Sequence, residues 1–292
     1  MKLASYKDGS RDGQLIVVSR DLGSARYATG AAHTLQQALD DWNFIAPQLQ
    51  DLYVALNQGR ARHAFAFEPA RCMAPLPRAF QWVAVDQAPR AQVPVAGIAG
   101  DLSRLRQGAG DAFLGPCNDM LWHDPALAAE SAAGLAVVCG DLPTRANPEQ
   151  ALDAIRLLML VNDWCGREPA AGTAAQGAGM APVWPGTAFS PVAVTLDEFG
   201  SAWQRGRLRL PLQLMFNGQP LDACEPDSGA LHFGQWLSLL CRQRPLGAGT
   251  VLGCTAWQSP TLEEGDQLRI EIRSPEGQSL FGAITQSLAL PA

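Results

Sequence analysis

The sequence predicts a β-rich α+β chain led by a small α/β unit, and three observations carry that prediction. Apolar alternation and tight-turn signals crowd the chain from Leu208 onward. The first 68 residues instead run strand, strand, helix. Between these regions stand two short apolar runs, residues 135–139 and 157–161, with the length of buried strands; periodicity alone leaves the second open to a buried helical segment.

Composition narrows the function classes. The chain has 292 residues, 47% of them apolar, and a net charge of −6. No two Lys or Arg are adjacent, so the clustered cations that phosphate neutralisation needs are missing, and a nucleic-acid partner is not expected. Lys2 and Lys7 are the only lysines, which leaves almost no room for a catalytic lysine. No apolar run approaches the ~20 residues of a membrane span, so no membrane partner is expected. The first eight residues lack the apolar core of a signal peptide. The seven Cys are scattered without a Cys-x-x-Cys pair, which predicts reduced thiols in the cytoplasm rather than a disulfide scaffold or a zinc site.

The elements follow in order. Residues 14–18 (Gln-Leu-Ile-Val-Val) form a strand, with residues 25–29 placed to pair with it. Thr34 caps a helix from Leu35, Trp42, Leu49, Leu52 and Leu56 mark its apolar stripe, Pro47 interrupts or restarts it, and Asn57-Gln58-Gly59 ends it. Residues 84–112 are rich in Ala, Gly, Arg, Gln and Pro and show little periodicity. Asn147-Pro148-Glu149 is a helix start, a capping side chain followed by Pro at the first helical position, and that helix should run to about Arg156. Residues 168–181 are low in complexity and are expected to form a mobile loop. Asn217-Gly218 is a tight-turn signal that makes residues 208–221 a hairpin. Residues 231–242 read as a helix with Phe233, Trp236, Leu237 and Leu240 on its core side. Residues 267–273 alternate Leu268, Ile270 and Ile272, and Pro275-Glu276-Gly277 turns the chain into a strand at 279–284.

Several phrases jointly resemble the fumarylacetoacetate hydrolase family. Asn162-Asp163-Trp164-Cys165-Gly166-Arg167 is similar to its N-D-[VW]-S-A-R strand end. Residues 106–116 resemble its Y-Q-G-x-x-D-x-F-L-G-P phrase, with Arg106 at the aromatic hydroxyl position. Gly186-Thr187-Ala188-Phe189-Ser190-Pro191 matches a G-T-x-x-x-P phrase, and residues 74–77 resemble its linker. The resemblance implies a small N-terminal domain at 1–70 and a mixed β-roll or sandwich, the ancestral catalytic domain, at 71–292.

It also implies a site. Asp163 takes the place of a ligand to a divalent metal, and Arg167 that of a residue facing the substrate. The two remaining ligand positions of a Glu-x-Glu pair fall on Ala132 and Gly134. A register slip could return only Glu130, with no second acid at i+2 on the same face of the strand. The family's histidine is missing, no histidine occurring between His63 and His123, and its lysine position falls on Trp184. The segment after Gly253-Cys254-Thr255 is shortened. A carboxylate freed of its metal would pair locally, Arg167 being the nearest cation in sequence. Arg106, Arg167 and Thr255 are the pocket candidates. Cys165 and Cys254 read as buried thiols before they read as nucleophiles, and Trp164, Trp184 and Trp257 as core before ligand contacts.

Three readings follow. The favoured one is a degenerate paralogue with little or no carbon–carbon bond hydrolase activity, requiring no cofactor. The second is a working hydrolase of a β-diketone or acylpyruvate-type acid using Mg²⁺ or Mn²⁺. The third is a metal-free enzyme with a pocket rebuilt around Arg106, Arg167 and aromatic residues, and a non-enzymatic protein that binds a small keto acid or partners an intact homologue stands beside it. The family resemblance implies a homodimer.

Overall fold

The computed structural model describes residues 1–86, 105–167, 185–226, 229 and 231–291, and of Asp86 and Arg167 only the backbone. The expectation of a mobile loop at 168–181, and the position of Trp184, lie outside the described residues.

The N-terminal unit forms much as its sequence dictates. β1 (Lys2–Tyr6), β2 (Gln14–Val18) and β3 (Ser24–Tyr27) make an antiparallel meander. Thr34 caps α1 (Leu35–Asp40) by accepting from the Gln37 amide. The helical stretch breaks at Asp41, and α2 (Trp42–Asn57) runs through Pro47 without interruption. Pro47 is exposed and so is Asn43, whose carbonyl loses its partner, so water can satisfy the group that proline frees. Ile45, Leu49, Tyr53 and Leu56 form the buried stripe. β4 (Phe65–Ala66) then pairs with β3.

The rest of the chain extends the same sheet. β5 (Trp82–Asp86) and β6 (Leu105–Gly108) lie inside the stretch whose sequence shows little periodicity. β7 (Met120–Leu121) precedes β8 (Ala128–Cys139), whose residues are almost all buried. A strand covered on both faces loses the polar alternation of a half-exposed one, which is why this segment reads as a continuous apolar run. α3 (Pro148–Asp153) begins with a capping box between Asn147 and Gln150 and stops three residues short of Arg156. From Ile155 the chain is already β9 (Ile155–Arg167), pulled into extended form by its pairing with β8. β10 (Gly186–Phe189) and β11 (Ala193–Val194) both pair with β9, and β11 also pairs with β1, so one sheet runs from the N-terminal unit into the larger part.

The remaining elements are short. β12 (Trp203–Gln204) and β13 (Arg207–Leu208) form a small hairpin of their own. Leu208 therefore does not belong to the hairpin around Asn217-Gly218, which comprises only β14 (Gln213–Phe216) and β15 (Gln219–Pro220). Asn217 and Gly218 hold φ of 49° and 76°, the left-handed pair that a two-residue turn needs. α4 (Phe233–Leu240) packs on α3. β16 (Thr250–Gln258) inserts between β8 and β5. β17 (Gln267–Glu271) and β18 (Ile284–Ala289) complete the second sheet, in the order β15-β14-β17-β18-β7. The last strand starts at Ile284 rather than Ser279; Ser279 makes only an isolated bridge to Arg273 around the turn.

The large sheet runs β4-β3-β2-β1-β11-β9-β8-β16-β5-β6, with β10 on the free stretch of β9. It curls until its end meets its middle. Beyond β6 the chain returns to β10, where the Leu114 amide donates to the Thr187 carbonyl at 2.9 Å and Leu114 bridges Ala188. β10, β9, β8, β16, β5 and β6 thus enclose a roll. Its interior is packed by Trp82, Phe113 and Phe189, edge to face with ring centroids 4.8 to 6.3 Å apart, together with Ala84, Ala136, Met159 and Val161. Leu135, Val137, Leu158 and Leu160 face the other way and pack with Ile270, Phe281, Ile284 and α4.

Candidate functional site

β9 divides its side chains between these two faces. Asp163 shares the interior face with Val161, while Asn162 and Trp164 point outward toward the second sheet. On that outer side the Asn162 amide and the Trp164 indole N–H both donate to Oε1 of Gln286, at 2.9 and 3.2 Å. The Gln286 amide donates in turn to the Asn118 carbonyl at 2.5 Å, and the Ser131 hydroxyl donates to Oδ1 of Asn162. All four side chains, Ser131, Asn162, Trp164 and Gln286, are buried. Asn and Trp are thus the struts that fix the strand, and the residue between them is the one presented to the interior.

Asp163 is 1% exposed, and both its carboxylate oxygens carry a donor. The Thr187 hydroxyl, directly opposite on β10, donates to Oδ1 at 2.6 Å. The Arg106 guanidinium donates to Oδ2 through Nη2. Arg106 lies four strands away in the ladder, about 19 Å along a flat sheet at ~4.8 Å per strand. Only the curl of the sheet lets them touch. The carboxylate pairs across the roll with a residue far off in sequence; the expected local pair with Arg167 lies outside the described residues, which include only the backbone of Arg167.

The two other positions that the sequence offers as metal ligands carry no ligating side chain. Ala132 stands directly opposite Asp163 on β8 and offers only a methyl group. Gly134, two residues on, has no room for a side chain. A Cβ there would collide with the Cys254 carbonyl oxygen and come within 2.8 Å of the Thr255 Cα, both backbone. The close approach coincides with the bulge in β16 between Thr255 and Trp257. Glu130 is buried and accepts from the Gln258 carboxamide, so the acid that a register slip would supply is also engaged. Among the described residues no group of three or more His, Cys, Asp and Glu is placed to hold a metal ion.

Hard dications take six or more oxygen ligands, at least one or two of them carboxylate and the rest carbonyl, water or substrate oxygens. A guanidinium about 4 Å from a dication costs on the order of 8 kcal/mol at an effective dielectric of ~20. The described residues around Asp163 do not fit a Mg²⁺ or Mn²⁺ centre.

The other candidates sort by face. Thr255 is buried and sits opposite Gly134, on the interior side with Arg106 and Asp163. Arg167 pairs through its backbone with Ala128, at the far end of β9. Cys165 and Cys254 are buried cysteines, and Trp164 is core. His232 is the N-cap of α4, its pKa lowered by burial and by Arg207, and His123 is exposed in an irregular stretch. Thr187 and Gln258 escaped sequence reading. The signal for Thr187 was its place two residues before Phe189 on one short strand, which puts both on the same face.

Comparisons with known proteins bear on the family and the fold. Residues 1–78 match the family description Fumarylacetoacetase N-terminal domain 2, and residues 90–288 match Fumarylacetoacetate (FAA) hydrolase C-terminal. Among solved structures, the chain superposes on maleylpyruvate hydrolase from Sphingobium sp. SYK-6 in complex with manganese(II) ion and pyruvate, with a TM-score of 0.73, 17% identity and full coverage of both chains. It superposes on fumarylacetoacetate hydrolase from Exiguobacterium antarcticum with a TM-score of 0.70, 18% identity and full coverage of both. A probable 2-hydroxyhepta-2,4-diene-1,7-dioate isomerase from Mycobacterium abscessus gives 0.70 at 16% identity, covering 100% of this chain and 98% of the other. At such identities these likenesses show the fold. No curated protein matches the sequence.

Proposed function

The chain belongs to the fumarylacetoacetate hydrolase family, and from that premise we propose that it is a degenerate member with little or no metal-dependent carbon–carbon bond hydrolysis. One observation carries the reading: the carboxylate that would anchor a metal, Asp163, is held by Arg106, with a methyl group opposite it at Ala132 and no space for an acid at Gly134. Lewis-acid activation of a diketone needs a dication with open positions for both oxygens, and this donor set does not supply one. By analogy with the family, we propose a small keto acid as the ligand class and a homodimer as the assembly, and the seven scattered cysteines suit the cytoplasm. Residual binding would use the interior side chains Arg106 and Thr255.

The test is direct. Protein purified without chelator is assayed for metal content, and acylpyruvate consumption is followed by absorbance with and without added Mg²⁺ or Mn²⁺. Neither stoichiometric metal nor turnover is expected. Turnover stimulated by Mn²⁺ would replace this reading with that of an active hydrolase.

A further inference from the structure

We infer that the Arg106 guanidinium is a built-in cation standing in for a divalent metal over Asp163, so that the interior of the roll neutralises its own carboxylate and turns an external dication away. The inference rests on the reading above and deepens it, by naming the residue that excludes the metal.

The ladder sets the surroundings of Asp163. Thr187, Asp163, Ala132 and Gln258 stand in one row across β10, β9, β8 and β16. That row contributes a hydroxyl, one carboxylate, a methyl and a carboxamide, and the carboxamide of Gln258 is itself bound to the buried Glu130 carboxylate two residues from Ala132. The positive charge arrives from the facing wall, carried by β6. Both partners are buried, with side chains 8% and 2% exposed, so water screens the pair little. A buried carboxylate without a counter-charge is costly; here the counter-charge is covalently tethered, and an ion in solution would have to displace it. Losing Ala132's acid and gaining Arg106 are then two halves of one exchange. An acid at position 132 would lie beside Asp163, with Cβ atoms ~4.5–5.5 Å apart as in any directly opposed pair, the spacing at which two carboxylates can share one ion.

The exchange can be run backwards and read without any turnover. Mn²⁺ binding is followed by loss of the free-ion electron paramagnetic resonance signal, for wild type and for Ala132→Glu alone and combined with Arg106→Lys or Arg106→Gln. Wild type leaves the ion free at millimolar concentration. Ala132→Glu/Arg106→Gln, with facing acids at 132 and 163 and no tethered cation, binds at least about tenfold tighter than Ala132→Glu/Arg106→Lys, where the positive charge is kept. Adding Asp163→Asn removes the gain. Circular dichroism confirms that each variant is folded; should the Gln variant not fold, Arg106→Met replaces it in the same comparison. Equal Mn²⁺ affinity of folded Lys and neutral variants overturns the inference, as does tight binding by wild type. Acylpyruvate turnover by a wild type that still leaves Mn²⁺ free would sink the proposed function and leave the tethered cation standing.

Discussion

Arg106 and Asp163 are separated by 57 residues and by four strands of one sheet, yet they form a buried ion pair across the interior of the roll. The pair is therefore also a fastening, tying β6 to β9 on opposite walls. Desolvating two charges costs several kcal/mol, which their attraction offsets only while both are present.

Breaking the pair from either side should expose that dependence. Asp163→Asn and Arg106→Met are each expected to destabilise by about 3–5 kcal/mol, because each strands the opposite charge in the core. The double variant should lose far less than the sum. Urea denaturation of the four proteins gives the coupling energy, and additive losses would show that the two side chains act independently.

The outer face of β9 predicts a separate effect. Gln286→Leu removes the acceptor shared by Asn162 and Trp164 and leaves two buried donors without it. A loss of roughly 1–3 kcal/mol is expected. Gln267→Leu, at an exposed position on the neighbouring strand, should change stability by no more than about 0.5 kcal/mol. Matching midpoint shifts in the two variants would argue against the network as a structural strut.

What the sequence disclosed depended on how local each signal was. Thr34, Asn147-Pro148 and Asn217-Gly218 act on backbone atoms within a few residues, and each marks the helix start or turn expected of it. The resemblance put Asp163 at one strand end and Ala132 and Gly134 on an earlier strand, and only the register shows that Ala132 stands opposite Asp163. Arg106 stood out by replacing an aromatic, but its partner was hidden, because their contact exists only once the sheet has curled. Pro47 misled because proline's penalty depends on whether the freed carbonyl meets water, a property of the surface and not of the local sequence. Strands of two residues, such as β12 and β13, carry no period to read.

Gly134 should be less replaceable than its neighbour. The atoms in the way of a Cβ at 134 are backbone, so no rotamer change relieves the clash. Gly134→Ala is expected to cost at least about 2 kcal/mol, or to shift β16 away from β8. Ala132→Gly should cost about 1 kcal/mol, mostly as backbone entropy. Thermal melts of the two variants decide it: a Gly134→Ala protein as stable as wild type would mean that the bulge in β16 yields freely, and that position 134 could have kept an acid.

The last expectation concerns pH. Lys2 is 1% exposed, and its ammonium donates to the carbonyls of Arg20 at 2.8 Å and Ser279 at 3.1 Å. Burial lowers its pKa to about 8, against partial support from Glu198. The unfolded chain, with an ordinary lysine near 10.4, holds its proton longer than the fold does. Between these two values the unfolded state binds more protons, so raising the pH stabilises the fold. Below pH 8 both states are protonated and the full burial penalty applies. The gain should grow from about pH 8 and level off above the unfolded pKa, reaching roughly 3 kcal/mol at most. Burial raises the pKa of Cys72, Cys139, Tyr6 and Tyr53 as well, so the measurement is a difference. Urea midpoints of wild type and Lys2→Met are followed from pH 7 to pH 10. The wild type should gain on the variant as the pH rises. Parallel profiles would place the Lys2 ammonium in water, contradicting its two carbonyl contacts.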